Sequence, residues 1–344
     1  MKTTRVRKIR PGESREPRFR DGLVVRVCGA VTVLLLAVTL SLSVGAQSVP
    51  PGEVLGSLVD YDPVNVSHII VRETRLPRTV TAILAGVALG VAGCTIQAMV
   101  RNPLADPGLL GVNSGAAFAV AVAAATLGVS SQSSLIWFAL VGALAASGLV
   151  YSLGTLSPVR MLLIGTALTA VLTGLTAAAT LLDPRAFDRM RYWAVGSVDG
   201  QGWAAIASVV PFVIGGLLLA CVVAVALNAV MLGDDVASSL GVNVVGVRLA
   251  GSIAVAVLAG AATAVAGPIS FVGLLVPHVA RLLVGVDQRR VLLFAVFFSP
   301  VVLILADVVG RIIVRPAEMP AGVTVAFFGA PLLVFLIRRS GVKL

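Results

Sequence analysis

Long runs of apolar residues without a charged side chain constrain this chain more than any other feature. The run from Thr79 to Val100 is long enough to cross the hydrocarbon core of a bilayer as one helix, and comparable runs recur along the sequence. Hydrophobic residues make up 58% of the chain and charged residues only 12%, which leaves too little charge to cover a soluble surface. The chain is therefore predicted to be an all-α integral membrane protein.

The positions of these runs predict ten transmembrane helices. Their ranges are 23–46, 79–100, 109–127, 135–156, 161–182, 204–228, 249–266, 269–284, 291–314 and 321–337. They form one domain, residues 23–339, with a basic tail, residues 1–22, before it and a short tail, residues 340–344, after it. Nine of the 26 lysines and arginines lie within residues 1–26, so the positive-inside rule places both termini in the cytoplasm. This tail also explains much of the net charge of +10, and no nucleic-acid partner is expected.

Two segments of the chain repeat each other. Ala85–Gly93 and Ala259–Gly267 are identical at six of nine positions, and the same offset places Pro103 on Pro277. The copies fall in the second and seventh predicted spans, which cross the membrane in opposite directions. An inverted repeat of this kind is common in transporters. The alternative is a pair of helices that both use small residues for close packing.

The sequence carries no motif for catalysis or metal binding. Its only lysines are Lys2, Lys8 and Lys343, so the chain has no P-loop of its own. Neither a zinc-protease motif nor a nucleophile elbow is present, and the two histidines are too far apart in sequence to suggest a metal site. No enzymatic activity, cofactor or metal is therefore expected, and any use of ATP would need a separate subunit.

Three arginines lie at the predicted outer ends of spans: Arg75, Arg78 and Arg311. They could anchor lipid phosphates, or they could dock an acidic partner, since guanidinium groups bind carboxylates through paired hydrogen bonds. Asp307 lies one helical turn before Arg311, so a local ion pair is expected. That pairing argues against an ion-coupled secondary carrier, the alternative class, which needs ionisable groups at mid-membrane.

A second distinctive loop, Met231–Arg248, faces the cytoplasm in this topology. Asp234 and Asp235 after Gly233 predict a helix start, and Leu240 with Gly241 predicts its end. A short cytoplasmic helix of this kind is either a connector or the point at which a separate motor acts on the membrane domain.

The sequence resembles the membrane-spanning permeases of ATP-binding-cassette importers for iron–siderophores, haem and vitamin B12, the FecCD type. The matching stretches are RLPRT at 75–79, RNPLADPGLLGVNSGAA at 101–117, GDDVASSLGV at 233–242, GPISFVGLLVPHVARLLVG at 267–285 and LADVVGRIIVRPAEMPAGVTVAFFGAPLLVFLIRR at 305–339. The resemblance implies ten helices per subunit, two permease subunits around one path, two cytoplasmic ATPase subunits and an external binding protein. It also implies a bacterial inner-membrane location.

The resemblance also implies functional roles for particular residues of this sequence. Arg75, Arg78 and Arg311 match outer arginines that meet glutamates on the two lobes of the binding protein. The segment 233–242 matches the helix that couples the permease to the ATPase; its matched residues are Gly233, Asp234, Asp235, Ala237, Leu240 and Gly241.

The expected cargo depends partly on the inner gate, where this sequence differs from the vitamin B12 permease. Pro158 and Val159 fall where the vitamin B12 permease has small hydroxyl residues. That difference argues against cobalamin, and the stretch RNPLADPGLLGVNSGAA at 101–117 is most similar to siderophore permeases. A ferric siderophore is therefore the expected cargo, with haem or cobalamin as the alternatives.

Overall fold

A computed structural model describes residues 17–45, 47–129, 131–154 and 158–340, and every regular element in them is helical. The helices are α1 (Pro17–Ser43), α2 (Pro51–Val59), α3 (Val66–Ile69), α4 (Leu76–Val100), α5 (Val112–Leu127), α6 (Gln132–Gly154), α7 (Pro158–Leu182), α8 (Pro184–Trp193), α9 (Trp203–Met231), α10 (Asp234–Ser239), α11 (Val244–Ala266), α12 (Val272–Val284), α13 (Gln288–Ile313) and α14 (Ala321–Ser340). A π-helical turn, Ile70–Arg75, joins α3 to α4, and a 3-10 turn, Pro107–Leu110, precedes α5.

Seven of the described helical segments are long and apolar enough to cross a membrane. They are Gly22–Ser43, Val66–Val100, Ser133–Gly154, Val159–Leu182, Trp203–Met231, Val244–Ala266 and Gln288–Ile313. Three shorter apolar helices, Val112–Leu127, Val272–Val284 and Ala321–Leu336, lie where the sequence predicted the remaining spans. The predicted all-helical membrane architecture is confirmed, while the count of ten spans stays a prediction.

Most helix starts differ by a few residues from the sequence prediction, and two of these differences are informative. Helix α1 begins at Pro17 rather than at residue 23, so it extends into the range predicted as a tail. Helix α5 begins at Val112 rather than at residue 109, because the Asp106 carboxylate accepts a hydrogen bond from the Gly108 amide at 2.8 Å and starts a separate 3-10 turn. Burial raises the pKa of Asp106. Residues 1–16 and 341–344 of the predicted tails lie outside the described residues.

Helix α4 lies at the centre of the bundle and packs against α9, α11, α12 and α13. Nearly all its residues are buried, and its glycines allow backbones to approach closely. A Cβ atom at Gly93 would lie 2.0 Å from the Gly273 carbonyl oxygen, and one at Gly90 would lie 2.2 Å from the Ser299 hydroxyl. The contact of α4 with α12 and α13 therefore tolerates no added side chain at these positions.

The two copies of the sequence repeat lie in α4 and α11, which pack directly against each other. Both segments are buried along their whole length. The inverted symmetry itself stays a prediction.

The connecting loops form two separate layers, one at each end of α4. At one end, the Ser197 amide donates to the Ala266 carbonyl at 2.7 Å, and the Gly322 amide donates to the Gly196 carbonyl at 2.9 Å. At the other end, the Asn228 side-chain amide donates to Asp287 at 3.0 Å. The first layer is the external one in the predicted topology.

Candidate functional site

Arg78 is held by three carboxylates that come from different loops and helices. Its guanidinium donates to Asp307 at 2.7 Å, lies 3.1 Å from Asp199, and also contacts Glu318. Arg78 and Asp307 are 5% and 1% exposed, so this pair is inside the protein. We call the set Arg75, Arg78, Asp199, Asp307, Arg311 and Glu318 the outer cluster.

Arg311 shares the Asp307 carboxylate with Arg78. Its Nε donates to Asp307 Oδ2 at 2.9 Å, which confirms the local pair expected from their spacing. The pairing with Arg78, which comes from a distant part of the chain, was missed. Asp307 thus lies between two guanidinium groups. Because all three side chains are buried, removal of the Asp307 charge would destabilise both arginines.

Arg75 and Arg311 of the outer cluster, together with Arg315, also cap the end of α1. The last carbonyls of a helix have no partner within it, and cations suit that end of the helix dipole. Arg311 donates to Ser41 and Val44 at 2.8 and 3.2 Å, Arg75 donates to Leu42 at 2.6 Å and also to Gln47, and Arg315 donates to Gly45 at 2.7 Å, in each case to the backbone carbonyl. Helix α1 has little buried surface of its own, so these bonds fix its outer end.

The predicted docking arginines are therefore brought together, but as buried side chains rather than as an exposed patch. Arg75, Arg78 and Arg311 are 5%, 5% and 1% exposed. All three line a cavity of about 260 Å³ that they share with Gly45, Gln47, Ile70, Thr74 and Glu318. This cavity offers a partner carboxylate a way to their guanidinium groups. Their docking role stays a prediction.

The second predicted segment, residues 233–242, contains helix α10. Gly233 has a φ of +116°, a conformation that favours glycine, and places Asp234 as the first helical residue. Ala237 is fully buried, while Leu240 caps the helix and Gly241 has a φ of +79°. The predicted helix start and end are thus observed, and the role of the segment in coupling stays a prediction.

Asp234 joins α10 to two other helices. Its carboxylate accepts a hydrogen bond from Arg248 in α11 at 2.9 Å and lies 3.4 Å from the guanidinium of Arg101. Arg101 directly follows α4 and has a φ of +57°. We call Arg101, Asp234 and Arg248 the inner cluster. Asp235, its neighbour in sequence, is exposed.

The predicted gate residues lie apart from both clusters. Pro158 is the first residue of α7, and Val159 is 65% exposed. Residues 155–157, which precede them, are outside the described part of the chain. The gate role stays a prediction.

Four cluster residues were missed from the sequence: Asp199, Glu318, Arg101 and Arg248. Asp199 and Glu318 lie in loops, Arg101 directly follows α4, and Arg248 lies in the second turn of α11. The partner of each is set by tertiary contact, so no local spacing could have identified it. Within the described ranges, no three His, Cys, Asp or Glu side chains come together as a possible metal site.

Comparison with known proteins gives matches over most of the chain. The FecCD transport family model matches residues 33–339. The ferric enterobactin transport system permease protein FepD of Escherichia coli (strain K12) is 45% identical over 322 residues, covering 92% of this chain and 96% of that protein. The Fe(3+)-citrate import system permease protein YfmD of Bacillus subtilis (strain 168) is 39% identical, covering 90% and 93%. A solved metal-chelate type ABC transporter in an inward-facing conformation superposes with a TM-score of 0.82 at 25% identity, covering 91% of this chain and 98% of that one.

Proposed function

The chain belongs to the FecCD transport family, and on that premise we propose that it is the transmembrane permease subunit of an ATP-binding-cassette importer that passes a ferric siderophore into the cytoplasm. The observation that carries the proposal is the 45% identity, over 92% of the chain, to a permease named for ferric enterobactin. Relatives named for Fe(3+)-citrate and iron(3+)-hydroxamate support iron chelates as the cargo class over haem or cobalamin.

The energy for transport comes from other subunits. The chain lacks a P-loop, so two cytoplasmic ATPase subunits would bind and hydrolyse ATP. In the proposed topology of ten spans with both termini in the cytoplasm of the bacterial inner membrane, α10 faces these subunits. A second permease subunit, identical or related, would complete the path.

The outer cluster would receive the external binding protein. A carboxylate of the binding protein that enters the cavity beside Arg75, Arg78 and Arg311 would meet guanidinium groups able to form paired hydrogen bonds. Asp199 and Glu318 are 48% and 31% exposed at their side chains, so an incoming carboxylate can exchange with them on Arg78. Asp307 is 1% exposed and would stay in place. In docking, a carboxylate of the binding protein then replaces an internal carboxylate on Arg78. This exchange fixes the relative orientation of the two proteins more than it adds to their affinity.

Transport would follow by alternating access. The chelate enters between the two permease subunits, and a path that binds it weakly lets it leave, while affinity resides in the binding protein. ATP binding would move α10 and alternate access between the outer side and the inner gate near Pro158 and Val159. The predicted inverted repeat of α4 and α11 suits such a cycle, because two related halves can exchange their inward and outward arrangements.

Reconstitution tests this function directly. Proteoliposomes that contain the permease, its ATPase subunits and the iron-loaded binding protein should accumulate radiolabelled ferric enterobactin only when ATP is present on the ATPase side. Unlabelled haem or cobalamin in excess should not compete with the siderophore. Accumulation driven by an ion gradient without the ATPase subunits would overturn the proposal and favour an ion-coupled carrier.

A further inference from the structure

We infer that Asp234 and Arg101 form an ionic joint through which α10 moves the central helix α4, so that Arg101 is a positioning residue for coupling ATP hydrolysis to transport. This inference rests on the proposed function. It concerns a contact between α10 and the end of α4, distinct from the surface through which α10 would meet the ATPase.

The geometry of the inner cluster gives Asp234 two different tasks. Arg248 is 8% exposed at its side chain, and its bond to Asp234 at 2.9 Å neutralises a buried guanidinium at the start of α11. Arg101 is 38% exposed at its side chain and reaches the same carboxylate at 3.4 Å. The first pair holds α10 to the helix that follows it in sequence. The second pair links α10 to a helix that precedes it by more than a hundred residues.

The backbone fixes both sides of this joint. Arg101 has a φ of +57°, which is uncommon outside glycine, asparagine and aspartate and turns the chain sharply away from α4. Gly233, next to Asp234, has a φ of +116°, and a Cβ atom there would lie 3.6 Å from Arg101 Nη1. A left-handed residue thus stands at the end of α4 and another directly before α10, and the long Arg101 side chain spans the distance between them.

Helix α4 carries the joint to the opposite side of the membrane. Its 25 residues form one helix without an internal proline beyond its first turn, which gives a length of about 37 Å. Arg75 and Arg78 of the outer cluster lie at its other end. One rigid helix therefore connects the contact with α10 to the site proposed for the binding protein. The joint therefore gives a displacement of α10 a direct route through α4 to the outer cluster, beside the longer route through Arg248 and α11.

The test uses Arg101→Asn in the complete complex of permease, ATPase subunits and binding protein. Asparagine accepts the left-handed backbone at this position, and the Arg248–Asp234 pair stays intact, so the variant removes only the link to α4. Arg289→Asn is the matched control, because Arg289 is an exposed arginine of the same loop layer that pairs with Asp287, two residues before it. Arg101→Lys restores a cation at the joint.

We expect Arg101→Asn to assemble normally and to hydrolyse ATP at the wild-type rate without binding protein. The stimulation of hydrolysis by loaded binding protein, and the iron imported per ATP hydrolysed, should each fall about fivefold or more, the usual lower range of coupling between sites. Arg101→Lys should recover most of both. The double variant Arg101→Asn with Asp234→Asn should be no less coupled than Asp234→Asn alone. Asp234→Asn already breaks the pair with Arg101, so the second substitution removes no further part of the joint.

Three results would overturn the inference. One is wild-type stimulation and iron per ATP in Arg101→Asn. The second is a parallel loss of basal hydrolysis and assembly, which indicates a structural role only. The third is an equal loss of coupling in Arg289→Asn. A wild-type complex that imports no iron with ATP would instead overturn the proposed function itself.

Discussion

Arg78 donates to Asp307 at 2.7 Å although 229 residues separate them in the chain. Asp307 also accepts from Arg311, its neighbour one helical turn away, so the carboxylate joins α4 to α13. The same two arginines line the cavity proposed for docking. Residues that could bind a partner are therefore also residues that hold the outer ends of the helices together.

Asp307→Asn should destabilise the permease by about 3–5 kcal/mol, because it neutralises the buried carboxylate that Arg78 and Arg311 share, and only Arg78 has further carboxylate partners among the contacts described. Asp199→Asn is the matched control: it removes a carboxylate from the same Arg78, but one that is 48% exposed, and it should cost less than about 1 kcal/mol. Unfolding of the purified permease in detergent measures both. Equal effects of the two substitutions would contradict a dominant role for the buried pair.

This prediction bears on the alternative class of ion-coupled carriers. Loss of transport in Asp307→Asn would not by itself support proton or sodium coupling, because the variant is expected to lose stability. Transport should therefore be compared only with the amount of folded protein in the membrane.

Glu318→Gln should strengthen docking of the binding protein by about twofold to fivefold, since it removes an internal carboxylate that competes for Arg78. The permease complex in nanodiscs can be titrated with binding protein at low and at high salt. The gain should shrink at high salt. Unchanged or weaker binding would contradict the exchange of carboxylates. Charge reversal at Arg75 or Arg78 is a poorer test, because both arginines are 5% exposed and Arg75 caps α1.

Gly233→Ala should lower the iron imported per ATP hydrolysed, because a φ of +116° is strained for alanine by about 1–3 kcal/mol and the start of α10 has to shift. Gly202→Ala is its control, since Gly202 has a φ of −83° and open space around its Cβ position. The ratio of iron uptake to phosphate release measures the effect. A normal ratio in Gly233→Ala would show that the left-handed turn is dispensable for coupling.

Asp287 should contribute pH-dependent stability at the inner loop layer. Burial disfavours its charge, but hydrogen bonds from the Asn228 side chain and the Arg289 amide outweigh burial and lower the pKa of Asp287. A carboxyl with a lowered folded-state pKa stabilises the fold above its unfolded value near 3.9, and this contribution is lost as the pH falls through the folded value.

Asp287→Ala should therefore cost about 1 kcal/mol at pH 7, partly through loss of the cap of α13, and less as the pH is lowered below about 4. Asp287→Asn, which keeps a capping side chain, should lose only the pH-dependent part. Unfolding measured from pH 7 to pH 3 separates these effects. A cost for Asp287→Ala that stays constant with pH would contradict the assignment.

The sequence predicted those features that depend on local spacing. Apolar runs located the long helices, and the interval of four residues located the Asp307–Arg311 pair. Glycines and aspartates located the ends of α10.

Features set by tertiary contact could not be predicted in this way. Nothing near Arg78 indicates that it pairs with Asp307, and nothing near Arg101 indicates Asp234. The burial of the predicted docking arginines was also missed, because it depends on carbonyls at the end of α1.

The contact of Gly93 with Gly273 has a consequence for how such a molecule can work. A slide of α4 along α12 would move Gly93 away from a point where only a hydrogen atom fits, and a slide of one turn, about 5.4 Å, would bring another residue of the same face there. These helices must therefore travel together as a single body. Relative motion is left to helices outside this contact, such as α7, whose apolar span is only 11% buried.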